Sequence, residues 1–369
     1  MRVQGEPFRS IWLDDDGWTV LIIDQTRLPH DFVMRPLRQA AEAAEAISAM
    51  RVRGAPLIGA TAAYGVALAM RQAATDDALD EACRLLEGTR PTAVNLRWAL
   101  ARMQRALAPL PVSERCAAAY SLAAALCDED VSINQCIGEQ GLGLIRDIWS
   151  GGPRSGKVLN ILTHCNAGWL ATVDWGTALA PIYRAHDAGI PVHVWVDETR
   201  PRNQGAALTA WELAAHGVPH DLVVDNAGGH IMQRGLVDLC LVGTDRTARN
   251  GDVCNKIGTY LKALAAADNG VPFYVALPGP TIDWGTADGV ADIPIEERDG
   301  SEVTEVYGRL ASGAIAPVRI APAGVTARNF AFDVTPARLV SGLITERGIC
   351  PASETGLLSL YPEKQGATS

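Results

Sequence analysis

The chain has 369 residues, of which 48% are hydrophobic, and it carries a formal net charge of -10 at pH 7. A chain of this length can form two domains and bury a sizeable core. The acidic balance argues against general binding of nucleic acid or of anionic membranes, although a local group of arginines can still bind a small anion. The N-terminus has no apolar core of signal-peptide length and no run of about 18 apolar residues occurs, so we expect no membrane span and a cytoplasmic protein.

The cysteines and histidines indicate neither a disulfide framework nor a metal site. The eight cysteines contain no C-x-x-C pair, and several of them fall in apolar helical patterns. This usage is typical of buried, reduced thiols. The seven histidines show no H-E-x-x-H spacing and do not pair with cysteines in a metal-binding pattern, so we expect no metal ion.

Residues 1–150 predict a β-hairpin followed by a helical domain. Two apolar runs, 11–13 and 18–23, flank a turn that contains a glycine, which is typical of a hairpin. Apolar residues at helical spacing follow, and Pro36 and Pro56 each suit the first turn of a helix. The helices predicted in this way begin near 36 and 56 and then span 77–86, 91–106, 113–126 and 128–149. The glycine-rich stretch 151–156 is predicted to be a linker.

Residues 157–362 predict a Rossmann-like, doubly wound parallel sheet, so the fold class is α/β. Short apolar runs alternate with helical patterns, which is the arrangement of a parallel sheet with helices on its faces. The predicted strands are 158–162, 192–196, 222–224, 239–242 and 273–277, and the predicted helices are 170–188, 209–216, 230–235, 256–268 and 337–347.

Polar and reactive residues follow four of the predicted strands. They stand at 163–168, at 197–204, at 225–226 and at 243–256. The carboxyl ends of parallel strands meet at one edge of a sheet, and ligands of open α/β sheets bind there. Four strands that all end in such residues exceed what fold maintenance requires, so we predict a ligand site at this edge.

Cys165 and Asp245 are the candidate catalytic residues. Cys165 comes just after a predicted strand and before a predicted helix, a position that lowers the pKa of a thiol; the alternative is a small residue chosen for packing. Asp245 follows a wholly apolar strand, where partial desolvation can bring a carboxyl group into the working range of a general acid or base. The alternatives for Asp245 are a helix N-cap or a partner for Arg246. His164 is predicted to point elsewhere.

Basic residues beside helix starts are the candidates for binding a phosphate. Arg53, Gly54 and Ala55 precede Pro56 at a predicted helix start, where free amides and an arginine suit an anion. The alternative, an ordinary helix start with a solvated arginine, is favoured by spacing alone. Arg90 stands before another predicted helix, and Asn255 and Lys256 stand at a third.

Five motifs are spread over nearly the full chain. They are Arg53-Gly-Ala-Pro-Leu-Ile-Gly59, Thr163-His-Cys-Asn-Ala-Gly168, Glu198-Thr-Arg-Pro201 with Gln204, Asp225-Asn226, and Gly243-Thr-Asp-Arg246 with Asn255-Lys-Ile-Gly258. In combination they resemble the methylthioribose-1-phosphate isomerase family. Its wider relatives are ribose-1,5-bisphosphate isomerases, 5-deoxyribose-1-phosphate isomerases and the regulatory subunits of a translation initiation exchange factor.

The resemblance implies a cofactor-free, cytoplasmic homodimer of the methionine salvage pathway that converts 5-methylthioribose 1-phosphate to 5-methylthioribulose 1-phosphate. By matching motifs, Asp245 corresponds to the proton donor and Cys165 to the active-site cysteine. The matched substrate contacts are Arg53, Gly54, Ala55, Arg90, Gln204, Asn255 and Lys256. Two alternatives stay open, an isomerase of a related pentose 1-phosphate and a non-catalytic sensor of sugar phosphates or nucleotides. The presence of Cys165 together with Asp245 favours the enzyme.

Overall fold

The N-terminal part of the chain consists of short strands followed by five helices. The computed structural model describes residues 1–90, 93–151 and 156–366. The strands are β1 (Arg2–Val3), β2 (Glu6–Pro7), β3 (Ile11–Leu13), β4 (Val20–Ile23) and β5 (Met34–Leu37). The helices are α1 (Ala40–Ser48), α2 (Ala55–Gln72), α3 (Asp76–Glu87), α4 (Val94–Leu107) and α5 (Val112–Gly151).

The predicted hairpin is confirmed, but it is extended by a third strand. β3 and β4 pair antiparallel, and β5 pairs with the free edge of β4. The helix predicted to open at Pro36 is therefore wrong at its start, because Pro36 lies in β5 and the helix begins at Ala40. A proline is tolerated there because β5 is an edge strand, where its missing N–H removes no hydrogen bond of the ladder.

The two helices predicted over 113–126 and 128–149 are one helix, α5. No proline or glycine separates the two periodic stretches, so the backbone hydrogen bonds run on through 40 residues, a length of about 60 Å. The far half of α5 packs on the C-terminal part of the chain. There Gly141 permits close approach, since a Cβ atom at this position would lie 2.3 Å from Cγ of Pro181.

The C-terminal part contains the remaining strands and helices. Its strands are β6 (Leu159–Thr163), β7 (Val192–Asp197), β8 (His220–Val223), β9 (Leu239–Val242), β10 (Arg246–Ala248), β11 (Val253–Lys256), β12 (Phe273–Ala276), β13 (Ile282–Asp283), β14 (Glu305–Arg309), β15 (Ile315–Arg319), β16 (Phe332–Thr335), β17 (Gly342–Thr345) and β18 (Gly348–Cys350). Its helices are α6 (Leu179–Asp187), α7 (Ala210–His216), α8 (Ala227–Gln233), α9 (Thr259–Asp268), α10 (Gly289–Asp292), α11 (Ser301–Thr304) and α12 (Glu354–Leu360).

The main sheet confirms the predicted Rossmann-like fold. Its order is β18-β17-β12-β9-β6-β7-β8, and all neighbours pair parallel except β17 and β18. From β6 the chain builds outward to β7 and β8, and from β9 it builds in the other direction to β12 and β17. The direction thus reverses between β6 and β9, which is the switch point at which doubly wound sheets bind ligands.

Three predictions for this part of the chain are wrong. The helix predicted over 337–347 is replaced by β17, whose short run of four buried residues completes the parallel sheet. The helix predicted from 170 begins at Leu179, and Trp169–Ala171 form a single turn of 3-10 helix instead. Lys256 ends β11 instead of opening a helix, since α9 starts at Thr259. The predicted linker lies mostly outside the described residues.

A second sheet, in the order β13-β10-β11-β16, lies beyond the carboxyl ends of β9 and its neighbours. Only a short loop of three residues separates β9 from β10, so this sheet is tied directly to the switch point. It brings Asn255 and Lys256, both buried on β11, toward the edge that carries Asp245. No helix among the described residues is both long and apolar enough to cross a membrane.

Candidate active site

The cleft at the switch point brings together residues that are far apart in the sequence. Cys165 follows β6 and Asp245 follows β9, and these two strands are neighbours in the sheet. Both residues line one cleft, which Arg53, Gly54 and Ala55 close from the start of α2. The cleft therefore places a thiol and a carboxyl group beside an arginine and the first turn of a helix.

Two of the other candidate residues line a cleft and two do not. Asn255 lines the same cleft as Cys165 and Asp245. Arg90 lines an adjoining cleft, which shares Ala55 and Asp245 with the first one. Gln204 and Lys256 are buried and line neither cleft.

Cys165 lies on a tightly held loop. Its φ angle of 66° is in the left-handed region, its backbone N–H donates to Oγ1 of Thr199 at 2.8 Å, and its carbonyl accepts from Oγ1 of Thr209 at 2.7 Å. The two threonines hold both sides of a backbone conformation that a non-glycine residue rarely adopts. The loop thus fixes the direction in which the thiol points.

The expected lowering of the Cys165 pKa is wrong. Burial raises the pKa of this thiol, and the nearby cations Arg53 and Lys256 oppose the rise without cancelling it. The prediction relied on a helix start directly after the strand, but the α-helix that follows begins only at Leu179. No helix amides stabilise the thiolate at this position, so its desolvation determines the direction of the pKa shift.

Arg53 is held by the loop that carries the thiol. Its guanidinium group donates from Nη1 to Oδ1 of Asn166 and from Nη2 to the carbonyl of Asn166, both at 2.6 Å. Gly54 makes this approach possible, because its φ is 86° and a Cβ atom would lie 2.3 Å from the carbonyl oxygen of Ala171. Arg53 is therefore a fixed, buried cation in the cleft, and the alternative of a solvated arginine is wrong.

The carboxyl group of Asp245 faces both clefts. Its backbone N–H donates to the carbonyl of Cys254 at 3.0 Å, and in the described part of the chain no group donates a hydrogen bond to its carboxyl oxygens. The ion pair considered in the sequence is made elsewhere, since Nη1 of Arg246 lies 3.4 Å from Oδ2 of Asp283. The carboxyl group of Asp245 thus keeps its hydrogen-bonding capacity for a ligand.

Arg90 is paired with an acidic residue that the sequence analysis did not single out. Its Nη2 lies 2.8 Å from Oε2 of Glu296, while its buried Nε has no hydrogen-bond partner among the described residues. Burial acts to raise the pKa of Glu296, but Arg90 and Arg298 hold that pKa below its usual value. An orphan donor at the wall of a cleft costs free energy unless a ligand or water accepts from it.

His164 is among the residues at the main cleft, but its ring is bound to groups outside the cleft lining, in agreement with the prediction that it points elsewhere. Its Nδ1 lies 2.9 Å from Oδ2 of Asp197, and its Nε2 lies 2.8 Å from the carbonyl of Ile257. With Asp225 these side chains place possible metal-ligating atoms within 4.8 Å of one another. The ammonium group of Lys262, 3.1 Å from Oδ2 of Asp197, already supplies the positive charge that a metal ion would bring.

Asp130 supports the segment behind the cleft and gives a pH-dependent prediction. Its Oδ2 accepts from the N–H of Val173 at 2.7 Å, and burial raises the pKa of Asp130 to about 7 from 3.8. The folded chain therefore binds this proton more tightly than the unfolded chain. The resulting stability is fully present below about pH 4 and is lost as the pH rises through about 7.

We expect Asp130→Asn to remove this dependence, since an asparagine oxygen can still accept from Val173 but does not titrate. As the pH rises from 5 to 7, the free energy of unfolding of the wild type should decrease relative to that of the variant by up to about 1.4 kcal/mol per pH unit. Urea unfolding at pH 5, 6, 7 and 8 measures the difference. A difference that stays constant across this range would mean that Asp130 keeps its charge in the folded chain.

Two further residues of the site gave only weak signals in the sequence. Asn166 and Glu212 hydrogen-bond each other behind the thiol loop, with 2.9 Å between Nδ2 and Oε1. Asn166 could have been found from its place beside Cys165. Glu212 is a single acidic residue in the apolar stretch of α7, and a lone buried charge is a sign of a specific internal partner.

Comparison with known proteins identifies the family to which this chain belongs. Residues 51–352 match the initiation factor 2 subunit family. The methylthioribose-1-phosphate isomerase of Rhodospirillum rubrum is 64% identical over 100% of this chain and 95% of its own length. The protein of the same name from Acidiphilium cryptum is 66% identical over 99% of this chain and 98% of its own length.

Two crystal structures extend the similarity to the fold. The 5-methylthioribose 1-phosphate isomerase from Pyrococcus horikoshii OT3 superposes with a TM-score of 0.82 at 39% identity, covering 97% of each chain. The translation initiation factor eIF-2B, subunit delta, from A. fulgidus superposes with a TM-score of 0.78 at 40% identity, covering 96% of this chain and 100% of that one. The chain therefore belongs to the initiation factor 2 subunit family and, within it, to the methylthioribose-1-phosphate isomerases.

Proposed function

We propose that this chain is an aldose–ketose isomerase that converts 5-methylthioribose 1-phosphate to 5-methylthioribulose 1-phosphate in methionine salvage. The observation that carries the proposal is the position of Cys165 and Asp245 on one cleft at the switch point of the sheet. Relatives of that name, 64% and 66% identical over nearly the full chain, support the same reaction.

The proposed reaction begins with ring opening at Asp245. The C1 aldehyde of the substrate is masked as a glycosyl phosphate, so the ring C–O bond must break before hydrogen can move. Asp245 is the proposed donor of the proton that the departing ring oxygen takes up. Because no described residue donates to its carboxyl oxygens, a substrate oxygen meets no internal competitor there.

Hydrogen transfer from C2 to C1 then follows one of two routes. In the first, a base at Cys165 removes the C2 hydrogen as a proton and returns a proton to C1, and the C2 hydroxyl loses its proton to give the ketone. In the second, the hydrogen moves as a hydride, and the C2 hydroxyl loses its proton. The first route requires the thiolate, which burial disfavours and which Arg53 and Lys256 favour.

Turnover in deuterated water separates the two routes. The product is collected before equilibrium and the deuterium at C1 is measured by NMR. Deuterium at C1 supports proton transfer through a base. Its absence supports the hydride shift, or a base shielded from solvent, as the closed position of Cys165 would allow.

Basic groups on both clefts are the proposed contacts of the sugar phosphate. Arg53 offers a fixed cation beside Gly54 and Ala55 at the start of α2. The Nε of Arg90, which has no hydrogen-bond partner in the described part of the chain, is a donor for a further oxygen. The proposed contacts also include Asn255, Gln204 and Lys256. Of these, Lys256 is held by the carbonyl of Ala331 at 2.9 Å and acts on the cleft through its charge.

The adjoining cleft supports a substrate with an apolar group at C5. Beside Arg90 and Arg246 it is lined by Ile58, Ile293 and Phe332, apolar side chains that can pack against a methylthio group. We therefore expect kcat/KM for 5-methylthioribose 1-phosphate to exceed that for ribose 1,5-bisphosphate by about 10²-fold or more. A panel of the 5-methylthio, 5-deoxy and 5-phospho sugars measures this ratio.

Other outcomes of the panel would assign other functions. A preference for the 5-phospho or 5-deoxy sugar would make the chain an isomerase of that pentose 1-phosphate. A folded protein without turnover on any of the three would act as a sensor of sugar phosphates, as the non-catalytic alternative holds. The kinship with a translation initiation factor subunit at 40% identity makes that control necessary.

The remaining features of the proposal follow from the family resemblance. We propose a cytoplasmic homodimer that uses no cofactor and binds neither nucleic acid nor membranes, in keeping with the net charge of -10. We further propose that residues 1–150 and 157–362 act as two domains whose approach closes the site. Exclusion of water by such closure would protect the open-chain intermediate.

A further inference from the structure

A buried glutamate stands directly behind the cleft. Glu212, on α7, is 1% exposed, and its carboxylate accepts four hydrogen bonds. Oε1 accepts from Nδ2 of Asn166 at 2.9 Å and from the N–H of Leu170 at 3.0 Å. Oε2 accepts from the N–H of Trp169 at 2.9 Å and from the hydroxyl of Tyr183 at 2.8 Å.

The donors are concentrated on the loop that carries Cys165. Asn166 follows Cys165 directly, and Trp169 and Leu170 form the turn that leads to the cleft-lining residues Ala171 and Thr172. Gly168, between them, leaves the space for the carboxylate, since a Cβ atom there would lie 1.8 Å from Oε2 of Glu212. The loop is thus wrapped around one buried carboxylate.

The carboxylate also determines which way the amide of Asn166 points. A carboxylate oxygen accepts hydrogen bonds, so the NH₂ group of Asn166 must face Glu212. The carbonyl oxygen of that amide then faces Nη1 of Arg53, 2.6 Å away. Reversing the amide would present NH₂ to the guanidinium group, which has no acceptor.

A purely structural role would not require a charge here. Among the described residues no lysine, arginine or histidine forms an ion pair with Glu212, and burial raises its pKa. Placing a carboxyl group in such surroundings is costly, and an apolar side chain of similar size would fill the space. The hydrogen bonds that Glu212 accepts from the loop carrying Cys165 account for a carboxyl group at this buried position.

We propose that Glu212 is a positioning residue, which acts through Asn166 to hold Arg53 against the Cys165 loop and so keeps the substrate-binding cation in line with the thiol. This inference rests on the proposed function, because it assigns Glu212 to the same isomerase site. Its geometry can nevertheless be tested without turnover, through the reactivity of Cys165.

The first test replaces Glu212 with leucine and measures two quantities. One is the rate at which iodoacetamide modifies Cys165 as a function of pH, followed by mass spectrometry of its peptide. The other is kcat/KM for 5-methylthioribose 1-phosphate. With Arg53 released, modification should reach its half-maximal rate at a higher pH, and kcat/KM should fall about 10²-fold. The matched control is Tyr183→Phe, which removes one hydrogen bond from Glu212 but leaves Asn166 and Arg53 in place.

A second test reverses the polarity of the contact and does not depend on the folding of the leucine variant. Asn166→Asp alone sets two carboxyl groups against each other and should raise KM about tenfold or more. Adding Glu212→Gln lets the glutamine NH₂ group donate to the carboxylate introduced by Asn166→Asp, which still accepts from Arg53. That NH₂ group then replaces the oxygen that accepted from the N–H of Leu170. The KM of the double variant should therefore fall part of the way back toward that of the wild type.

The two readouts separate this inference from the proposed function. Absence of turnover in the wild type would overturn the isomerase proposal alone, and the modification of Cys165 would still test the contact. The inference is overturned if folded Glu212→Leu shows the pH dependence of the wild type at Cys165. It is also overturned if the double variant is no better than Asn166→Asp.

Discussion

Asp245→Asn is expected to lower kcat for 5-methylthioribose 1-phosphate by about 10³-fold, with a much smaller change in KM. An asparagine fills the same space but donates no acidic proton, so ring opening loses its general acid, a contribution of about 10²–10⁴-fold in enzymes generally. Substrate binding through Arg53 and the start of α2 stays intact. Steady-state kinetics of the purified variant measures both constants.

Asp245→Asn should alter the reaction without disturbing the fold. Asp245 accepts no hydrogen bond from the described residues through its carboxyl group, so the change leaves no internal donor without a partner. Its Tm should match that of the wild type. The control is Asp221→Asn on β8, where the carboxyl group is exposed and pairs with His193 at the protein surface. A kcat for Asp245→Asn within a few-fold of the wild type would remove this residue from the mechanism.

Cys165→Ser is expected to lower kcat by a similar factor, about 10²–10⁴-fold. A serine hydroxyl is far less acidic and less polarisable than a thiol, so it serves poorly in moving the C2 hydrogen or in supporting the charge that develops there. The backbone hydrogen bonds of residue 165 to Thr199 and Thr209 do not involve the side chain. The loop should therefore keep its conformation.

A second serine variant provides the matched comparison for Cys165→Ser. Cys136 is a half-buried thiol on α5, outside both clefts. Cys136→Ser should retain the kcat of the wild type. If Cys165→Ser and Cys136→Ser turned over at the same rate, the thiol at the switch point would be a packing residue, which is the alternative that the sequence left open.

The parallel sheet was predictable because its strands are short, apolar and separated by helical patterns. The same local pattern did not identify β17, which is the last strand of the parallel series. β17 consists of four buried residues and lies in a stretch that also has helical spacing, so its pairing with β12 and β18 decides its structure. Likewise, the apolar spacing alone does not distinguish one long α5 from two shorter helices; the lack of a proline or glycine between the two stretches was the local sign of a single helix.

The site was predictable as far as chain order and strand ends determine it. Cys165 and Asp245 could be placed at one edge because parallel strands share that edge, and the switch point accounts for their proximity. The pKa of Cys165 was predicted in the wrong direction because burial of the loop is a property of the whole fold. The pairing of Arg90 with Glu296 joins residues 206 positions apart, which no spacing rule connects.

The central claim is that Asp245 and Cys165 serve successive steps of one reaction in one cleft. Its most direct test is the kcat of the double variant Asp245→Asn with Cys165→Ser, measured beside both single variants. When two residues serve consecutive steps, the slowest step sets the rate, so the double variant should be about as slow as the slower single variant. A double variant whose loss is the product of the two single losses would contradict this division of steps.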